Sequence, residues 1–249
     1  MTELLSTEVH VAHLERLRQW EMASIPTGLL EGRDIVEIGG GSGFQAALLA
    51  PSVASIRSFD IATPDLKYFP VELYDGYHVP VEDDAFNGAF SSNALEHVPR
   101  LNDLLQEILR ILSDEGVAVV VLPTSTWRLW TSLAHYPFLV KYLLRRRPPT
   151  PSAVDSPASS PPGLSRLIRR VLSSGPHGEN RSALHELVTF SERHWRTTFS
   201  QAGFAVDVRT SGLFYTGYSL IESLSVKRRH QLGRVLGSSS KIYVLRPLT

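Results

Sequence analysis

The stretch DIVEIGGGSG, Asp34 to Gly43, runs a short apolar segment straight into a glycine turn. Ile35, Val36 and Ile38 read as a buried strand, with an acid, Glu37, near its end. Gly39, Gly41 and Gly43 then alternate through the turn, and Phe44 to Ala50 (FQAALLA) resumes with helix-forming residues. Glycine lets backbone approach a ligand and take positive φ. The N-terminus of the following helix offers N–H groups to a carboxylate or phosphate. Strand, glycine turn and helix together make a cradle for a small molecule.

The spacing separates two ligand classes. Dinucleotide enzymes favour G-x-G-x-x-G after the strand. Here the third glycine comes one residue early, and Phe44 stands where that pattern wants glycine. Further along, Ser52 to Asp60 (SVASIRSFD) reads as a second strand ending in an acid. Asp60 follows the first glycine by about twenty residues, where a carboxylate reaches the ribose hydroxyls of a bound nucleoside. Next come YDGYHVP, Tyr74 to Pro80, and the run VEDDAFNGAFSSNALEHV.

The order acid-x-G-x-G-x-G, Glu37 to Gly43, resembles the first motif of class I S-adenosylmethionine-dependent methyltransferases. The segment from Tyr74 to Val98 is similar to the D-A-x-x-L-P-F…LEH pattern of the broad type 11-like family. The resemblance implies S-adenosyl-L-methionine as cofactor and methyl transfer as the activity. It also implies contacts from Glu37, Gly39, Gly40, Gly41, Gly43, Asp60, Ile61, Asp75, Gly76, Tyr77 and Asn93. On that match Asp60 takes the ribose and Asp75 the adenine amino group, with Gly76 and Tyr77 flanking the base. Phe90 to Asn93 ends the fourth strand beneath the methionine portion, and Leu95, Glu96 and His97 open the next helix. Two departures stand out: Asn87 replaces an acid, and Ser113-Asp114-Glu115-Gly116 replaces a Pro-Gly turn. The match covers residues 30–125 well and is looser beyond.

The 249 residues suffice for one core with an insertion. Apolar content of 43% and charged content of 20% are those of an ordinary globular chain. With no cysteine, disulfides, thiolate nucleophiles and zinc–cysteine sites are excluded. The start, MTELLSTEVHVAHLERLRQWEM, lacks the basic and apolar regions of a signal peptide, and no apolar run is long enough to span a bilayer. A cytoplasmic protein is expected, with peripheral contact at the inner face of the membrane as an extension.

The formal net charge of zero conceals an asymmetry. Residues 1–126 carry 7 Lys and Arg against 19 Asp and Glu, and residues 127–249 carry 18 against 6. Either the halves pair across the fold, or the basic half meets an anionic partner.

The alternation of strands and helices predicts a doubly wound, Rossmann-like α/β fold with a seven-stranded, mostly parallel sheet. One domain spans 1–249, with a cofactor core at 30–125, an inserted lid at 127–189, and a closing helix and strands at 190–249. Leu4 to Leu30 reads mostly as a helix broken at Pro26, and Leu101 to Leu112 as an amphipathic one. Strands are expected at Ile35–Ile38, Ser55–Asp60, Ala89–Ser92, Val117–Leu122, Phe204–Arg209 and Lys241–Arg246, the last antiparallel at the sheet edge. Phe190 to Gly203 reads as a helix capped by Ser191.

Trp127 to Leu144 is aromatic and apolar, and Arg145–Arg147 follow. The proline-rich stretch 148–163 reads as a loop, and Leu164 to Leu172 as a short basic helix. The region 127–147 suits a cavity lid, a face for lipid headgroups, or both. Among the histidines His78, His97, His135, His177 and His185, the candidates for a base are His97 and His177, the latter near Glu179. A base helps where the acceptor is a hydroxyl and is dispensable for carbon or unprotonated nitrogen. No grouping shows metal spacing, and no nucleophilic serine motif is present.

Acceptors in view are a small molecule, a glycan or a lipid-linked species. PHGE with LFYTGY (Leu213 to Tyr218) looks similar to methyltransferases of bacterial surface-polysaccharide pathways. Alternatives are an RNA methyltransferase, which lacks a nucleic-acid module here, a non-catalytic scaffold, and an NAD-binding oxidoreductase.

Overall fold

The computed structural model describes residues 2–65, 67–144, 177, 182–217, 221 and 223–248. Arg145–Arg147, the 148–163 stretch, the Leu164–Leu172 helix and Glu179 lie outside the described residues.

Seven strands form a single sheet: β1 (Asp34–Ile38), β2 (Ser55–Asp60), β3 (Val71–Leu73), β4 (Phe86–Ser92), β5 (Leu112–Pro123), β6 (Phe204–Thr210) and β7 (Ser240–Pro247). Their order is β3-β2-β1-β4-β5-β7-β6, with β1 to β5 parallel and β7 antiparallel to both neighbours. The expected Rossmann-like sheet is therefore present. One placement is corrected: β7 is not an edge strand but lies between β5 and β6, and β6 forms the edge. Its backbone pairing is the reason: β7 bonds β5 along one edge and β6 along the other, so the buried Ile242, Tyr243, Val244 and Leu245 leave no N–H or C=O edge open.

The described helices are α1 (Thr2–Met22), α2 (Phe44–Leu49), α3 (Leu101–Ile111), α4 (Ser125–Leu144), α5 (Ala183–Thr189), α6 (Glu192–Gln201) and α7 (Val226–Leu236). α1 stops four residues before Pro26 rather than running on to Leu30, and Leu112 starts β5 rather than ending α3. Ser191 caps α6 as expected, its hydroxyl accepting from His194 N–H. None of the described helices is long and apolar enough to cross a membrane.

Strand alternation sorts β5 onto two faces. Ala118, Val120 and Leu122 pack with Leu104, Leu105 and Ile108 of α3 and with Trp195 and Phe199 of α6. Val117, Val119 and Val121 face the other way, toward Ile35, Leu30 and Leu49 of α2. Asn87, one of the two departures from the family pattern, accepts from the Asp34 N–H at 2.8 Å through its side chain. It thus ties the starts of β4 and β1 together, at the end of the sheet remote from the glycine turn.

The chain leaves β1 toward β2 on one side, while β4 lies on the other. In open parallel sheets a crevice forms at this reversal, beyond the carboxyl ends of the strands. The glycine turn after β1, Asp60 at the end of β2 and Asn93 after β4 all stand there.

Candidate active site

The turn is held from below. Gly39 and Gly40 N–H donate to the Phe59 carbonyl at 2.8 and 3.1 Å, and Gly43 N–H to that of Gly40 at 2.8 Å. A Cβ on Gly40 would stand 1.9 Å from Ser58 Oγ, and one on Gly43 2.6 Å from the Phe69 carbonyl oxygen. Gly39, Gly41 and Gly43 all have positive φ. Gly41 differs in its surroundings, since nothing lies within 4 Å of where its Cβ would be. The turn is thus packed on its inner side and open at Gly41. Phe69 and Tyr68, which the sequence did not single out, close over its far side: Tyr68 N–H donates to Ser42 O, and its ring meets Phe44 edge-on at 5.2 Å.

Glu37 is 2% exposed and accepts a 2.5 Å hydrogen bond from Ser58. The residue stands beneath the turn as a brace. Burial pushes its carboxyl up to about 7, against the Ser58 bond, which lowers it. A carboxyl that binds its proton more tightly folded than unfolded stabilises the fold below its unfolded pKa. That contribution is lost as pH rises from about 4.5 to about 7, on the order of 3 kcal/mol. Thermal unfolding across that window should show E37Q losing part of the fall in stability seen in the parent, while an unchanged slope would remove Glu37 as its source.

Asp60 accepts from Gly41 N–H at 2.7 Å and from Ala62 N–H at 3.2 Å. Asp75 accepts from Tyr77 and His78 N–H at 2.8 and 2.7 Å, and these bonds hold its carboxyl below the usual range. Ile61 is 69% exposed, and Gly76 opposes it, a Cβ there standing 3.1 Å from Ile61 Cγ2. Arg100 lies over the Tyr77 ring at 3.8 Å. Asn93 takes φ 51°, rare for a residue with a side chain.

Beyond β4 the 3-10 turn Leu95–His97 brings Glu96 and His97 toward His177. The two imidazoles meet edge-on at 4.9 Å, and Trp127 of α4 packs on His177 at 4.7 Å. Burial, His97 and two arginines push His177 down to about 4, so it is neutral at physiological pH. Burial pushes Glu96 up to about 7. Around them stand two charge pairs that the sequence did not reveal, each with a fully buried carboxylate. Arg18 pairs with Glu21 at 2.6 Å, and Glu21 also accepts from Tyr215 Oη at 2.6 Å. Arg128 pairs with Glu186 at 3.1 Å, and Glu186 accepts from His177 N–H at 2.6 Å. The other histidines stand apart: His78 faces Glu107, His135 is buried beside Tyr136 on α4, and His185 begins α5.

A methyltransferase-domain family matches residues 12–208. The chain belongs to that family. An uncharacterized methyltransferase of Mycobacterium avium (strain 104) is 35% identical over 101 residues, covering 36% of this chain and 39% of that protein. The methyltransferase therefore spans well under half the length of that relative. A SAM-dependent methyltransferase of Archaeoglobus fulgidus superposes with TM-score 0.51 at 17% identity, over 96% of this chain and 94% of that one. An S-adenosylmethionine-dependent methyltransferase from Mesorhizobium loti gives 0.50 at 17% identity, over 91% and 95%. These two likenesses concern the fold. The family is one of methyltransferase domains, and the two solved proteins that share this fold are S-adenosylmethionine-dependent by name.

The residues suit that cofactor. Gly41 borders open space, Asp60 presents a carboxylate beside it, and Ile61 stands exposed next door, packed close on Gly76.

Proposed function

We propose that this methyltransferase acts on a small-molecule, glycan or lipid-linked acceptor. Asp60 holds the ribose hydroxyls, Asp75 the adenine amino group, and Ile61, Gly76 and Tyr77 flank the base. The Gly39–Gly43 turn and Asn93 receive the methionine portion, over the brace of Glu37. Bound S-adenosylmethionine supplies a methyl group on a sulfonium, open to displacement in line. The protein's task is to position the acceptor and keep water out.

The observation that carries the acceptor reading is the wall formed by Trp127, His97 and His177. It stands at the carboxyl ends of β4 and β5, and α1, α4 and α5 supply the buried charges behind it. An aromatic face with polar edges suits a compact ring or sugar. Neutral His177 can accept a proton from an acceptor hydroxyl. Incubation with methyl-labelled S-adenosylmethionine and separate metabolite, lipid and RNA fractions tests this. Label is expected in the metabolite or lipid fraction, and label in RNA alone would overturn the reading.

A lipid-linked acceptor is favoured by α4. Leu129, Leu133, Tyr136 and Val140 are each about half exposed, at helical spacing along one stripe. Leu184 and Val188 of α5 are exposed as well. This surface suits peripheral contact with the inner face of a membrane. Replacing both Leu133 and Tyr136 with serine should weaken sedimentation with anionic phosphatidylglycerol vesicles about tenfold. A parent protein that ignores the vesicles would end the membrane reading.

A further inference from the structure

We propose that Glu96, His97 and His177 form a binding site for a divalent transition-metal ion, zinc by its ligand chemistry. One ligand atom from each lies within 4.8 Å of the others, and Glu96 Oε1 stands 3.9 Å from His97 Nε2. Around zinc, ligand atoms at about 2.0–2.2 Å from the ion stand about 3.4 Å from one another. Closing the set needs shifts of about 1 Å, within reach of small side-chain rotations.

Glu96 supplies the independent reason. Its side chain is fully buried, and among the described residues no other donates a hydrogen bond to either carboxylate oxygen. A buried carboxylate left this way is costly. The neighbouring charges leave it over. Three carboxylates, Glu21, Glu96 and Glu186, act on one another here, and the guanidiniums of Arg18 and Arg128 pair with Glu21 and Glu186. Arg18 also acts on Glu96 but donates no hydrogen bond to it, and the ligand atoms of the two imidazoles lie within 4.8 Å of its carboxylate.

Two imidazoles and a carboxylate favour zinc over magnesium or calcium, which prefer all-oxygen sites. The bond from His177 N–H to Glu186, itself paired with Arg128, fixes one ligand's backbone. Three protein ligands leave a coordination position open beside Trp127. An acceptor oxygen bound there would be oriented by the ion, and with its lone pair on the ion His177 would position the acceptor rather than take its proton. That role rests on the methyltransferase reading, whereas cation binding itself does not.

The test is calorimetric titration of EDTA-stripped protein with zinc chloride, with metal counted by mass spectrometry. One equivalent is expected. E96Q, H97N and H177N should each weaken it more than about 100-fold, since even outer-shell partners are worth 10–100-fold. H194N, on the exposed start of α6, should bind as the parent does. H177N, at the least buried of the three positions, keeps the test open if E96Q fails to fold. No uptake, or equal uptake by the parent and all three ligand variants, would overturn the site. Parallel titration with S-adenosylmethionine separates the two ideas: its failure in the parent would remove the cofactor reading and leave the cation site standing.

Discussion

Asp60→Ala is expected to weaken S-adenosylmethionine binding by two orders of magnitude or more. The carboxylate does two jobs at the carboxyl end of β2. It accepts the Gly41 N–H at 2.7 Å, which fixes the open side of the turn. In the proposed complex it also accepts from the ribose hydroxyls. Each hydrogen bond to a charged group is worth about 1.5–3 kcal/mol, so losing two amounts to about 3–6 kcal/mol. The fold should survive, because Asp60 lies at the rim of the sheet and makes no ion pair among the described residues. Calorimetry with S-adenosylmethionine and S-adenosylhomocysteine reads the effect. Affinity within about threefold of the parent would take Asp60 out of the site. Asp60→Asn keeps an acceptor for Gly41 and should fall between the two.

The largest loss of stability is expected from Arg128→Ala. Arg128 is 2% exposed and Glu186 is fully buried, so the change takes a guanidinium from a carboxylate that water cannot reach. Removing one partner of such a pair costs about 3–5 kcal/mol, more than the pair itself contributes relative to an apolar replacement. For a chain of this size the midpoint of thermal unfolding should fall by roughly 10 °C. The double change R128M/E186L should recover much of that, because neither member of the pair is then left buried alone. It should not recover the His177 position, which depends on the bond from its N–H to Glu186. A midpoint within 2 °C or so of the parent for Arg128→Ala would show that the pair is not structurally important.

The cofactor half was legible because its signals are local. A strand, a positive-φ turn and a following helix are contiguous in Asp34–Leu49, and only glycine suits the turn at Gly39, Gly41 and Gly43. The unbroken apolar run Val117 to Leu122 likewise announces a strand buried on both faces. β3 escaped notice because three half-exposed residues, Val71–Leu73, carry no such period. α7 escaped for a similar reason: Val226–Leu236 is basic, and its buried Arg229 is held by the carbonyls of Phe214, Ile221 and Leu224.

The acceptor side was legible only in part. His97 and His177 stand out as residues, but their meeting does not, since eighty positions separate them. Glu96 reads in sequence as one more acid of a helix start. Only the tertiary structure shows it buried beside two imidazoles while Arg18 and Arg128 serve other carboxylates.

The sequence by itself carried the resemblance to the family, which implies the cofactor, and the doubly wound sheet, since both rest on the identity and spacing of neighbouring residues. The tertiary structure decided where β7 lies, what Glu37 braces and which charges gather around His177. Those depend on contacts between segments far apart in the chain, where burial and the remaining charge set each group's role.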